Sequence, residues 1–306
     1  MSTPRISASS YSNTAPLVWS FLYGRNHGSV EIILDNAPAR SAALLSEDRV
    51  DAALVPVIAY QMIEGLRLVP DVCVGARERV RSVCLVTGGM DLADVRSVSL
   101  DVSSKTSVVL TKIIFREFIG FEPEWRSAEP NVVDMLAVSD AALLIGDPAL
   151  ALSSPPYKGG VDDMAPLPPE EGWHRPPVTG WREGGRRGSN DEPPTPRSAL
   201  RTFDLADLWH HYTGLGFVFA MWMTRHQTMD IDFAAARDEG LEHLSEIIAN
   251  YESDIHLGPD QMRSYLSENI SYSIDESMRK GMELYFRLAS TNRLTASNRL
   301  LTFVEP

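Results

Sequence analysis

Apolar runs of strand length alternate with stretches of helical period through the first half of this 306-residue chain. That alternation is the pattern of βα units around a mostly parallel sheet, because strands buried on both faces need helices to cover them. Strands are expected at Arg5 to Ser9, Val30 to Leu34, Asp51 to Val57 and Val80 to Thr87. Helices from about Ala15 to Tyr23, Ala37 to Ser46 and Ile58 to Glu64 lie between them. Gly88-Gly89 breaks the series, and it restarts with strand Val98 to Leu100, helices Ser107 to Ile119 and Asn131 to Val138, and strand Ala141 to Ile145.

From Ser153 to about Ser198 prolines and glycines replace the aliphatic periodicity, so this stretch reads as an insertion that buries no core. Order resumes with the amphipathic helix Asp204 to Tyr212 and a strand from Gly216 to Met223. Helices then fill the remainder: Ile231 to Tyr251, Asp260 to Asn269 and Asp275 to Leu288. A chain that leaves one lobe, builds a second and returns has the connectivity of a hinged binding fold. The expected division is residues 1–88 plus 216–306 for one lobe and 89–215, including the insertion, for the other. Val80 to Thr87 and Phe217 to Met223 are the expected hinge strands, and no internal repeat is visible.

The length and the 44% apolar content suffice for two cores. A net charge of −13 argues against a nucleic-acid partner, and any anionic ligand must be held by a local field. Cys73 and Cys84 each sit in an apolar run and read as buried reduced thiols. The first residues enter a strand without a basic region and apolar stretch, and no run approaches the ~18 apolar residues of a spanning helix. A cytoplasmic protein without membrane insertion is therefore expected.

Three junctions put small hydroxyl or amide residues between a strand's C-terminal end and a helix, where open α/β sheets bind ligands. They are Ser9 to Leu17, Asp101 to Ser107, and Ile145-Gly-Asp-Pro148. Free N–H groups at such helix starts favour anions. Ordinary capping, by Asn13 or Thr14 at the first and Asp147 at the third, accounts for the same residue types. The second carries more than a cap requires, with Ser103, Ser104, Thr106 and Ser107. His210-His211 are adjacent and point to different faces, which suits no metal. Trp181 to Gly188 reads as a solvated loop tip, and Arg77, Arg79 and Arg81 as surface charge or as positive field near the cleft.

Several segments together resemble the chorismate dehydratases of the futalosine route to menaquinone. They are Tyr11-Ser-Asn-Thr-Ala-Pro-Leu17, Asp51-Ala-Ala-Leu-Val-Pro56, Val80 to Thr87, Asp101 to Ser107, Leu144-Ile-Gly-Asp-Pro-Ala-Leu150, and Trp209 with Thr213-Gly-Leu-Gly-Phe-Val-Phe-Ala-Met-Trp222. The resemblance implies an α/β, two-lobed type II periplasmic-binding-protein-like fold with a ligand cleft between lobes. It implies a hydro-lyase that needs no cofactor and no metal, converting chorismate to 3-[(1-carboxyvinyl)oxy]benzoate and water, with the substrate's enolpyruvyl carboxylate as the base.

By the same resemblance Asn13 is the catalytic side chain, positioning the reacting ring. Ser82, Ser104, Thr106, Gly146 and Asp147 line the cleft; Ser82, Ser103, Ser104 and Thr106 are expected to bind carboxylates, and Ser107 is expected among the substrate-binding residues. Asp147 either caps its own helix or meets the substrate hydroxyl. Gly216 replaces a proline of the family pattern, which implies a looser hinge strand, and the insertion is placed to shade the cleft. The alternatives are a non-catalytic small-anion receptor of the same fold and the sister dihydroxynaphthoate synthase; the N-terminus offers no export signal for the first, and no histidine-bearing loop marks the second.

Overall fold

The computed structural model describes residues 3–152, 200–255 and 257–305. Among the described residues ten strands form two five-stranded sheets. They are β1 (Arg5–Ser9), β2 (Glu31–Asp35), β3 (Ala52–Pro56), β4 (Arg67–Ala76), β5 (Val83–Thr87), β6 (Ser97–Asp101), β7 (Glu124–Ala128), β8 (Ala141–Ile145), β9 (Arg201–Asp204) and β10 (Phe217–Thr224). The orders are β2-β1-β3-β10-β4 and β7-β6-β8-β5-β9.

Both sheets follow one plan. A parallel trio, β2-β1-β3 or β7-β6-β8, is extended by a strand that runs antiparallel to it, β10 or β5. The expected mostly parallel sheet is thus mixed in each lobe. Val83–Thr87 belongs to the interior of the second sheet, so that lobe starts before the expected boundary at 88/89. The expected hinge strands are likewise interior strands, one in each sheet. The crossings themselves are the short stretches 77–82 and 214–216.

The helices are α1 (Ala15–Leu22), α2 (Pro38–Ser46), α3 (Ala59–Met62), α4 (Thr106–Ile113), α5 (Val132–Val138), α6 (Gly146–Leu152), α7 (Leu205–Thr213), α8 (Phe233–Glu242), α9 (Leu244–Ile255), α10 (Pro259–Ser264) and α11 (Glu276–Thr291). Helix α4 runs on through a wider π-turn at Ile114–Ile119, and α10 through another at Tyr265–Asn269. The single helix expected from Ile231 to Tyr251 is two, broken at His243. The insertion expected at 153–198 and the Trp181 to Gly188 tip lie outside the described residues.

Alternation along β5 divides the second lobe's packing: Val83 and Leu85 join the large core shared with the first lobe, while Cys84 and Val86 face a small cluster with Met135, Leu144 and Ala149. In the first lobe α8 lies directly on the start of α1. A β-carbon on Gly240 would fall 1.9 Å from the Pro16 carbonyl oxygen, so only glycine allows that approach. Among the described residues no helix is long and apolar enough to cross a membrane.

Both crossings are tied down. Asp204 is buried, caps α7 by accepting the Ala206 and Asp207 N–H groups, and with its other oxygen accepts those of Val80 and Arg81 at 3.0 and 2.6 Å. At the second crossing the Gly216 N–H donates to Ser277 Oγ at 3.0 Å, and the Trp209 indole N–H to the Gly216 carbonyl at 3.3 Å. At the glycine that stands in place of the family's proline, Ser277 thus uses an N–H that proline lacks.

Candidate active site

The three junctions open on one cavity between the lobes, with about 60 Å3 of space open to water centres. Tyr11, Asn13 and Thr14 reach it from the first lobe, and Ser104, Thr106, Ser107 and Gly146 from the second. Leu54, Pro56, Val74, Val83 and Phe219 give it apolar walls.

At the first junction β1 passes through a single 3-10 turn, Ser12–Thr14, into α1, whose first turn accepts Pro16. The expected capping by Asn13 or Thr14 does not occur. Thr14 Oγ1 turns back and donates to the carbonyls of Ser9 and Tyr11 at 2.6 and 2.8 Å. Asn13, which is 9% exposed, lines the cavity.

At the second junction Ser104 Oγ accepts the Ser107 N–H at 3.2 Å and so stops one open donor of α4, keeping its own proton to give. Ser103 gives its N–H and hydroxyl to Asp101 Oδ1 at 2.8 and 2.6 Å. Thr106 Oγ1 donates to the Phe219 carbonyl at 3.1 Å and lies 3.4 Å from the Ile58 N–H, so it joins the lobes.

At the third, Gly146 has φ of +65° and gives its N–H to the Ser82 carbonyl at 2.7 Å. The Tyr11 ring lies against it, and a β-carbon at 146 would meet Tyr11 Cε2 at 2.7 Å. Asp147 accepts the Ser12 hydroxyl at 2.5 Å and the Ser12 N–H at 3.2 Å, a partner across the cleft that neither expectation for it named.

Of the expected residues, then, Asn13, Ser104, Thr106, Ser107 and Gly146 share the cavity wall, while Ser82, Ser103 and Asp147 do not line it. Ser82 is fully buried, its hydroxyl 3.5 Å from the Val80 carbonyl and facing Tyr265. Tyr265 was not legible in the sequence, since nothing local distinguishes it from other aromatic residues of an apolar helix face. The wall has no Asp, Glu, His, Lys or Arg among the described residues. Burial pushes the Asp101 carboxyl above its usual range against the bonds from Ser103, and burial likewise raises the Tyr11 hydroxyl. The helix starts around the cavity contribute positive potential, and Arg81 lies near enough to act on Tyr265. Among the described residues no group of three or more His, Cys, Asp or Glu is placed to hold a metal.

Two lobes of one strand plan, joined by two crossings around a cavity of small polar and apolar side chains, define a periplasmic-binding-protein-like fold. Solved structures agree. The periplasmic aliphatic sulphonate binding protein SsuA of Escherichia coli matches with a TM-score of 0.57 and 15% identity over 99% of this chain and 94% of its own. The Candida albicans CA3427 gene product, described as having the generic periplasmic binding protein fold, matches at 0.60 and 13% over 100% and 98%. At these identities the likeness concerns the fold alone.

The sequence matches the menaquinone biosynthesis family over residues 4–164 and 194–291, and the chain belongs to that family. A chorismate dehydratase of Thermus thermophilus is 29% identical over 259 residues, 83% of this chain and 84% of that one.

Proposed function

We propose that the protein is a chorismate dehydratase, a cytoplasmic carbon–oxygen hydro-lyase that turns chorismate into 3-[(1-carboxyvinyl)oxy]benzoate and water. One observation carries this reading within the menaquinone biosynthesis family: the cavity wall offers an amide and hydroxyls and, among the described residues, no Asp, Glu, His, Lys or Arg. A dehydration whose substrate carries its own base asks nothing else of that wall.

The enolpyruvyl carboxylate takes the ring proton. The electrons of that C–H bond complete the aromatic ring as the neighbouring C–O bond breaks, and hydroxide leaves to become water with the proton. Asn13 positions the ring and offers a hydrogen bond while charge moves to the leaving oxygen. Ser104 and Ser107, with the first N–H groups of α4, hold a carboxylate. The hydroxyls of Ser103 and Thr106 already serve Asp101 and Phe219, so these two residues act by shaping the α4 entrance.

The full chain incubated with chorismate is expected to yield the aromatic enolpyruvyl product, and Asn13→Ala to lower turnover roughly a hundredfold. Tight chorismate binding without product in the parent protein overturns the reading in favour of a receptor.

A further inference from the structure

Behind Asn13, away from the cavity, stands a buried phenol that the proposed reaction does not use. Tyr265 is fully buried on the π-turn that continues α10, where the Ile270 N–H reaches back to the Tyr265 carbonyl at 3.1 Å. Such widened turns are uncommon and occur often at functional sites. The Tyr265 hydroxyl lies against the side chains of Ser82 and Asn13, yet completes no hydrogen bond among the described residues. A fully buried hydroxyl is nearly always satisfied; Ser82 and Asn13 stand within hydrogen-bond reach of this one, while Asp147 and Arg81 act on it only as nearby charges.

We infer that Tyr265 is a positioning residue for Asn13, its O–H donating to Asn13 Oδ1 while it accepts from Ser82 Oγ. The inference rests on the dehydratase reading for its effect on turnover, though not for the hydrogen bond itself. An asparagine amide has an accepting end and a donating end of nearly the same shape, and its neighbours decide which faces the ligand. A tyrosine donor behind Asn13 holds the carbonyl end back and turns the NH2 group to the cavity. That is the end able to donate to a departing hydroxide. Ser82 thereby acts from behind the wall, three hydrogen bonds from the substrate.

Tyr265→Phe keeps the ring in the core and removes only the oxygen. Its kcat is expected to fall about tenfold with KM changed less than about twofold, because orientation matters most as charge develops. In an Asn13→Ala background the same change is expected to cost nothing further. Parent-level kcat in Tyr265→Phe, or losses that multiply in the double variant, overturns the inference. A second measurement is independent of turnover. In protein labelled with 15N-asparagine, the Asn13 side-chain amide pair, identified by its loss in Asn13→Ala, is expected to shift in Tyr265→Phe. An unchanged pair overturns the inference even if the parent protein releases no product, whereas a shifted pair with an inactive parent rejects the dehydratase reading alone.

Discussion

Ser12 bonds across the cleft to Asp147 with both its backbone N–H and its hydroxyl, so the turn that presents Asn13 is held by a carboxylate of the opposite lobe. Bonds to an ionised acceptor are about twice as strong as neutral ones. Asp147→Asn is expected to weaken the tie between the lobes and with it chorismate binding, about tenfold or ~1.4 kcal/mol. Calorimetric titration checks it, and an unchanged Kd would show that the bond does not hold the lobes together.

Gly146→Ala meets two obstacles, a positive φ and the Tyr11 ring. A loss of about 2–4 kcal/mol is expected in urea unfolding. Tyr11→Ala in the same chain is expected to recover the share due to the ring and leave the backbone share. No recovery would place the whole cost in the backbone.

Gly216→Pro removes the donor to Ser277 and sets a ring carbon where Met278 Cγ would lie 2.6 Å from a β-carbon. A cost of about 2–4 kcal/mol is expected. The residue that resembling sequences carry at this place is thus expected to be harmful here unless Met278 is also reduced in size. Equal thermal stability of the variant and the parent would contradict this.

Burial pushes the Asp204 carboxyl up to about 6, against the backbone N–H groups that favour its ionised form. The folded state therefore binds this proton more tightly than the unfolded chain, whose value is near 3.8. The resulting stability is fully present below about pH 3.8 and is lost as pH rises through about 6. Asp204→Asn is expected to be less stable overall, since an amide nitrogen cannot accept what Asp204 Oδ2 accepts. Its stability profile is expected to lack the decline through about pH 6. Parallel profiles for the two proteins would remove Asp204 from the account.

Regular periodicity made much of the fold legible. Strands β1, β3 and β8 and helix α2 stand close to where the apolar runs place them, because each is a short run between clear turn residues. Strand β4 was not legible: Pro70 and Asp71 interrupt it, and it tolerates them as an edge strand whose register shifts against β10. The shared plan of the lobes leaves no repeat in the sequence, since different side chains satisfy the same strand order. At the site, small polar residues at strand ends marked the three entrances. What they could not show is which hydroxyls are already engaged, as with Thr106 and Phe219, or that Tyr265 comes back to Asn13 from 252 positions away. Those are tertiary facts.

The placement of β10 also orders events during synthesis. Once residue 204 has emerged the second sheet has all five strands, while the first still lacks the one that lies between β3 and β4. Domains fold as units while the chain grows, so the later-encoded lobe can close first and the earlier one must wait with its centre open. A chain ending before Phe217 has every junction of the cavity in its sequence but lacks the central strand of the first sheet and the second crossing.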